Sequence, residues 1–148
     1  MGIFAAIRGT TSGLSAQRVR MDVISSNVAN IETTRTPDGS GPYKRQVVRL
    51  SAGSENLPFA DLVSRFTGQP SNGTVLTSVE QDTQNPVNRV YDPGHPDAGA
   101  DGFVETPNVD LITEMTDLTS ANRSYQANVT VLNALKQMAL RALDIGSR

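Results

Sequence analysis

The chain has 148 residues, of which 37% are hydrophobic, and its 13 basic and 15 acidic side chains give a net charge of -2. This length suits one domain with a modest core, and the near-neutral charge excludes the basic surface typical of proteins that bind nucleic acid or anionic membranes. The absence of cysteine excludes disulfides, thiolate metal sites and a cysteine nucleophile.

The N-terminal part carries apolar residues at seven-residue intervals, which predicts a long amphipathic helix. One row holds Ile7, Leu14, Met21 and Val28, and an adjacent row holds Ile3, Thr10, Gln17, Ile24 and Ile31. Such a helix can pair with a second one as in a coiled coil, or, as the alternative, the two terminal helices can each bury one apolar face in an ordinary core. Polar residues within such a row lower stability and fix the register of a helix pair.

This helix is expected to end at the stretch SSNVAN, where two asparagines lie three residues apart. An asparagine amide can bind the unpaired backbone groups of a helix end, and asparagine also tolerates the left-handed conformation that stops helices. Asn27 and Asn30 are therefore predicted to end the helix and to contact the partner helix or an adjacent subunit. The alternative is that both are solvated polar positions.

The middle of the chain contains all eight prolines, which lie between Thr36 and Asn108. Proline inside a helix removes a hydrogen bond and clashes with the preceding turn, so long helices are expected only at the two ends. Alternating and β-branched residues predict strands at 43–51, 74–79, 88–91 and 103–105. Within 52–73, the spacing of Phe59, Leu62, Val63 and Phe66 predicts one short helix.

His95 is the only histidine and lies in the stretch YDPGHPDAGADG, close to three aspartates. An acid–base or metal site is one interpretation of this cluster, but Pro-Gly, His-Pro and Asp residues are also the composition of a solvated turn. DAGADG resembles part of a calcium loop, yet Asn108 occupies the position of the bidentate glutamate. No cofactor and no metal are expected.

The C-terminal part again has two rows of seven-residue spacing. One row holds Leu111, Leu118, Tyr125, Leu132 and Ala139, and the other holds Met115, Asn122, Val129, Lys136 and Leu143. Together the two ends predict a mainly α fold, in which long N- and C-terminal helices pair as a coiled-coil-like hairpin with a small β-rich, irregular middle segment. The predicted parts are a helix at 1–34, the middle segment at 35–107 and a second helix at 108–148.

Four stretches together resemble the flagellar basal-body rod proteins: SSNVANIET, TPDGSGPYKRQVV, VYDPGHPDAGADGFVETPNVD and ANRSYQANVTVLNALKQMALRAL. The resemblance covers most of the chain except residues 52–73. It implies a structural subunit without catalysis, whose terminal helices assemble into the axial drive shaft that transmits torque from motor to hook. Implied partners are other rod subunits, copies of the chain itself, and basal-body proteins of the export gate, with no nucleic acid and no membrane insertion.

The resemblance also implies a location in the periplasm-spanning rod and export by the flagellar type III apparatus without a cleaved signal peptide. Residues 1–21 contain three arginines and no acid, as organellar transit peptides do, but the apolar rows continue without a break to Ile31.

The predicted assembly interface combines the apolar rows with the asparagines near the helix ends. Its residues are Ile7, Leu14, Met21, Ile24, Asn27, Val28, Asn30, Ile31, Leu111, Met115, Leu118, Asn122, Tyr125, Asn128, Val129 and Leu132. Two other functions stay open from the residues alone. One is a small soluble adaptor that binds a partner helix, and the other is an enzyme that uses His95.

Overall fold

A computed structural model describes residues 3–39, 41–52 and 75–146. Two helices flank four strands in the order α1 (Ile3–Ala29), β1 (Gln46–Ala52), β2 (Val75–Gln81), β3 (Asn88–Tyr91), β4 (Phe103–Thr106) and α2 (Leu111–Gly146). The prediction of two terminal helices with a small β middle is therefore confirmed. Their pairing as a coiled-coil-like hairpin and the boundaries at 34/35 and 107/108 stay predictions.

The two helices contain 27 and 36 residues, and neither contains a proline. Because no ring interrupts their hydrogen bonding, each continues through several turns. Within the part of the chain that the structure describes, neither helix is apolar enough over a sufficient length to cross a membrane.

The four strands form two small sheets, one of β1 and β2 and one of β3 and β4. β3 and β4 are antiparallel, with Val90 opposite Val104 and Tyr91 opposite Phe103. The predicted strand at 88–91 has the observed bounds, and the other three predictions differ from the structure by one to three residues at their ends. The short helix predicted from Phe59 to Phe66 lies outside the described residues.

The chain divides into two compact units. One holds the described parts of 1–19, 49–78 and 120–148, and its buried apolar residues are Ala16 and Ala121. The other comprises 20–48 and 79–119, and its buried apolar residues are Val23, Ile24, Pro42, Val104, Pro107 and Val109. Among the described residues both cores are small, and the buried polar residues Asn27 and Glu114 take a large share of the interior of the second unit.

A tight loop after α1 returns the chain to the end of that helix. The Thr36 N–H donates to the Gly41 carbonyl at 2.9 Å, and the Tyr43 N–H donates to the Thr33 carbonyl at 3.1 Å. Gly39 and Gly41 have φ angles of 70° and 96°, a region that residues with a Cβ rarely adopt. The loop therefore places Tyr43 next to Thr33, just before β1 begins at Gln46.

Candidate assembly interface

Most sides of α1 are at least partly covered. Of the predicted interface residues on this helix and just after it, Ile24 and Asn27 are buried, and the others are half-buried: Ile7, Leu14, Met21, Val28, Asn30 and Ile31. From Arg8 onward, the exposed positions of α1 form one stripe with alternating steps of three and four residues: Arg8, Thr11, Ser15, Arg18, Asp22, Ser25 and Ala29. The solvent-facing side of α1 is therefore narrow and mostly polar.

α2 is covered along two rows, and only one of them was predicted. The predicted row of Leu118, Tyr125 and Leu132 is half-buried, although Leu111 at its start is 47% exposed. The second covered row is Glu114, Ala121, Asn128 and Leu135. Within the single chain, the row of Met115, Asn122, Val129, Lys136 and Leu143 is exposed except at Val129, and its part in an assembly interface stays a prediction. Because Glu114 and Asn128 are polar, the hydrophobic periodicity of the sequence does not predict this covered row.

The C-terminal half of α2 carries an apolar stripe that nothing in the described part of the chain covers. Val131, Met138 and Ile145 are 49%, 54% and 78% exposed and follow one another at seven-residue intervals. At 1.5 Å per residue this stripe is about 21 Å long, and all three side chains lie on the same side of the helix. An exposed stripe with this spacing fits the packing of another helix.

Asn27 is the centre of a buried polar cluster in the second unit. Its side chain is 1% exposed, and all four hydrogen-bonding positions of its amide are used. Oδ1 accepts from the Tyr43 hydroxyl and the Gln46 N–H, both at 2.9 Å. Nδ2 donates to the Gln46 carbonyl at 2.9 Å and to Glu114 Oε2 at 3.1 Å. One side chain of α1 thereby binds the first residue of β1 and the first turn of α2.

Glu114 is completely buried and is neutralised by Arg45. Arg45 donates from both Nε and Nη2 to Glu114 Oε1, each at 2.7 Å. The Arg45 N–H also donates to Asn108 Oδ1 at 2.9 Å. A buried carboxylate is tolerated only when it is paired and hydrogen-bonded, and these contacts supply both requirements. We define Asn27, Tyr43, Arg45, Gln46 and Glu114 as the junction cluster.

Two further carboxylates lie near Arg45. Asp82 Oδ2 is 3.9 Å from Nη1, and Asp117 Oδ2 is 4.0 Å from Nη2. The pKa of Asp82 is lowered chiefly by hydrogen bonds from the side chain and backbone of Asn85, with smaller contributions from the Gln84 N–H and the Arg45 charge, while desolvation opposes the shift. Asp117 also lies 3.8 Å from Arg20 of α1.

The ends of both helices are capped by side chains. Asn30 Nδ2 donates to the Ser26 carbonyl at 2.8 Å, and the same carbonyl accepts from the Asn30 N–H at 3.1 Å at the end of α1. Neither Asn27 nor Asn30 adopts the left-handed conformation that asparagine tolerates, because within 3–39, 41–52 and 75–146 only glycines have positive φ. At the start of α2, Asp110 Oδ2 accepts from the backbone N–H and the hydroxyl of Thr113.

The segment around His95 is built as a turn. Asp92 Oδ1 accepts from the Gly94 N–H at 3.1 Å, and His95 Nδ1 accepts from the Asp97 N–H at 3.1 Å. Asp97 Oδ2 accepts from the Thr34 hydroxyl at 2.7 Å. Among the described residues, no group of three or more His, Asp or Glu side chains is arranged to hold a metal ion.

Comparison with known proteins covers nearly the whole chain. Residues 7–35 match the family described as "Flagella basal body rod protein", and residues 100–145 match "Flagellar basal body rod FlgEFG protein C-terminal". The "Flagellar basal-body rod protein FlgC" of Bacillus subtilis is 44% identical over 99% of both chains. Those of Borreliella burgdorferi and Salmonella typhimurium are 44% and 41% identical over 98% and 91% of both chains.

The chain belongs to the FlgC family of flagellar basal-body rod proteins. It is a structural rod subunit and not an enzyme. Membership in the FlgC family removes both alternatives that the residues alone left open, the adaptor and the enzyme using His95.

The two regions that match rod-protein families meet in the junction cluster. Asn27 comes from the N-terminal matched region and Glu114 from the C-terminal one, whereas Arg45 lies between them. Asn27 was predicted from the sequence as an interface residue, whereas Arg45 and Glu114 were not. One feature of the sequence could have indicated Glu114. It is the acidic residue in the first turn of α2, and it lies seven residues before Ala121, which belongs to the same covered row.

Proposed function

We propose that this FlgC-family subunit assembles into the rod through its terminal helices, which pair as a coiled-coil-like hairpin and pack against helices of neighbouring subunits. The apolar stripe of Val131, Met138 and Ile145 carries this proposal, because a continuous exposed apolar row is costly in water unless another surface covers it. The contacts Arg20–Asp117 and Asn27–Glu114 in the second unit support an antiparallel hairpin there.

The proposed interface comprises the residues predicted from the sequence together with the stripe of α2. Half-buried apolar residues such as Leu14 and Met21 still have surface that an adjacent helix can cover. Exposed members such as Met115 and Asn122 are accessible to a neighbouring subunit. Their exposure within one chain is compatible with burial in an assembly.

The proposed partners are other rod subunits and further copies of the same chain. The names of the FlgC relatives support a location in the basal-body rod. In that location, the helices form part of the shaft that transmits torque from motor to hook. Export through the flagellar type III apparatus, with contacts at the export gate and without a cleaved signal peptide, is the route that the family resemblance implies.

The experiment replaces two residues of the stripe by aspartate in a flagellated host. Val131→Asp with Met138→Asp should abolish rod assembly and motility, because it places two charges where a partner helix packs. Asn133→Asp is the matched control, since it adds a charge at an exposed position on another side of the same helix. Electron microscopy of basal bodies and motility assays give the readout. Normal rods in the double variant would overturn the proposal.

A further inference from the structure

Charge is distributed unevenly between the two units. The second unit holds twelve acidic and five basic residues, whereas the described part of the unit formed by 1–19, 49–78 and 120–148 holds one acidic and six basic residues. The net charge of -2 for the whole chain therefore combines an acidic unit with a basic one. A surface of one sign attracts partners of the opposite sign.

Two arginines of the basic unit border the apolar stripe of α2. Arg123 and Arg141 are 18 residues apart, which is five full turns, so they lie on the same side of the helix about 27 Å from each other. Arg141 follows Met138 by three residues and precedes Ile145 by four, and residues at these spacings are neighbours on a helix surface. Arg123 precedes Val131 by two steps of four residues. The two arginines therefore form one edge of the stripe.

Both arginines are accessible to a partner. They are exposed, and neither makes an ion pair or a hydrogen bond with another residue in the described part of the chain. The other edge of the stripe lies next to Asn128 and Leu135, which belong to the covered row. A helix that packs on the stripe therefore meets guanidinium groups along one edge only.

The arginine edge selects the partner by charge. Residues beside the apolar row of a helix pair decide which partner and which orientation are accepted. Exposed charge pairs add little affinity, but like charges brought together in a contact are strongly unfavourable, so they act mainly on specificity. A guanidinium also matches a carboxylate through two parallel hydrogen bonds. The complement of this surface is a helix with carboxylates beside its apolar row.

Neither described helix of a second copy supplies this complement. α1 contains one acidic residue, Asp22, on an exposed stripe that also carries Arg8 and Arg18. In α2 the first two acidic residues are buried or half-buried beside Arg45, and only Asp144 is exposed. A helix of a second copy would therefore bring basic residues against the arginine edge.

We infer that the apolar stripe of α2 is covered by an acidic amphipathic helix of a different rod subunit, whose carboxylates pair with Arg123 and Arg141. Two carboxylates about 18 residues apart on that helix match the distance between the arginines. The inference rests on the proposed assembly through the terminal helices and adds the chemistry of the partner. Copies of the same chain contact one another through other parts of the interface.

Reversal of the two charges in a flagellated host tests the pairing. Arg123→Glu with Arg141→Glu leaves the apolar stripe intact and should reduce the number of complete rods at least roughly tenfold, because like charges then meet in the contact. Arg35→Glu with Lys44→Glu is the matched control, since it makes the same change in charge at two exposed residues of the second unit. Glutamate and arginine have similar helix propensities, so α2 keeps its tendency to form a helix. Electron microscopy counts the rods, and immunoblots of exported protein check that every variant is exported.

Photo-cross-linking identifies the partner. Ala134 is exposed and lies between the arginine edge and the stripe, three residues after Val131 and seven before Arg141. A benzoylphenylalanine that replaces Ala134 in an otherwise unmodified chain is therefore in reach of the covering helix. Mass spectrometry of purified basal bodies should find the cross-link on a helix of another rod subunit, next to acidic residues.

The inference is overturned by normal rods in the charge-reversed variant. A cross-link to a second copy of this chain, to a segment without acidic residues or to no protein would overturn it as well. Val131→Asp with Met138→Asp separates this result from the proposed function. If that variant fails to assemble while the charge-reversed variant assembles, the packing of the stripe stands and the charge pairing is wrong.

Discussion

At the scale of single residues, one amide organises the second unit. Asn27 is buried and uses both donors and both acceptor positions, so it serves the backbone of Gln46 much as a neighbouring strand does. The same amide also reaches Glu114, whose carboxylate is held by Arg45. Specificity here comes from complete hydrogen bonding, since a partly satisfied cluster of this kind is worse than an apolar core.

Asn27→Ala should destabilise the chain by about 2 kcal/mol, because the Gln46 N–H and carbonyl lose their buried partner. Asn30→Ala should cost less, about 1 kcal/mol, since Asn30 is half-buried and serves mainly the Ser26 carbonyl. Urea denaturation of both variants measures the difference. With both changes together, rod assembly should weaken. Equal losses for the two single variants would contradict a central role for Asn27.

Glycine 102 is the second residue whose identity the structure requires. Gly102 has a φ of 72°, and a Cβ there would lie 2.9 Å from Tyr91 Cε2. Gly102→Ala should destabilise the β3–β4 hairpin by about 1 to 2 kcal/mol through backbone strain, in addition to displacing Tyr91. Gly94→Ala is the control, because its Cβ would meet only Asp92 Oδ1 at 3.5 Å. Thermal unfolding of the two variants should separate them clearly, and a Tm for Gly102→Ala as high as that of Gly94→Ala would refute the strain argument.

At the scale of elements, the two helices differ in how they meet solvent. α1 exposes a narrow polar stripe, whereas α2 exposes several large apolar residues, among them Val131 and Met138. Amphipathic patterning predicted both helices, but a helix has more than one possible apolar face when its sequence is rich in leucine, valine and alanine. The face that lies against the chain is set by the residues it meets, and the remaining apolar face is available to another subunit.

The start of α2 should be sensitive to acid. Hydrogen bonds from the side chain and then the backbone of Thr113 lower the pKa of Asp110 below its ordinary value of 3.8. A carboxyl with a lowered folded-state pKa stabilises the fold at pH values above the ordinary pKa, and this contribution disappears as the pH falls below 3.8 through the lowered value. The capping charge at the helix N-terminus is lost in the same range.

Between about pH 4 and pH 2, the Asp110→Asn variant should therefore lose less stability than the unmodified chain, because asparagine caps a helix without titrating. Asp144, near the other end of α2, gives the control Asp144→Asn. Urea midpoints measured across this pH range compare the variants with the unmodified chain. An acid dependence of Asp110→Asn as steep as that of the unmodified chain would rule out the cap as its source.

At the scale of the whole molecule, few residues of the two helices are buried among the residues that the structure describes. The buried apolar residues of the described part are few, and in α2 no described residue beyond Ala121 is buried. Ordering a residue costs about 1 to 2 kcal/mol of backbone entropy, which burial and packing must offset. We expect the far ends of the helices to become fully ordered only when neighbouring subunits cover them.

Hydrogen exchange on the isolated subunit and on assembled rods measures this coupling. Amides of residues 122–145 should exchange nearly as fast as in an unfolded chain when the subunit is dilute, and slowly in the assembly. Amides near Asn27 should be better protected, because the junction cluster holds them together within one chain. Strong protection of 122–145 in the dilute monomer would count against ordering on assembly.

The sequence by itself determined the terminal helices, the β character of the middle and the family. Proline confined to residues 37–107 leaves both ends free to be helical, and the strand at 88–91 follows from its β-branched and aromatic residues. Local signals of this kind act within a few residues of one another, so they can be recognised without knowledge of the fold.

Only the tertiary structure decided which face of α2 is covered and which polar residues are buried. The covered row contains the polar residues Glu114 and Asn128. Hydrophobic periodicity therefore predicts burial of an adjacent apolar row instead. Glu114 is buried because Arg45, 69 residues earlier, supplies its counter-charge and Asn27, 87 residues earlier, its hydrogen bond. Contacts between residues so far apart in sequence arise only when the chain has folded, and they reverse the ordinary preference of a carboxylate for water.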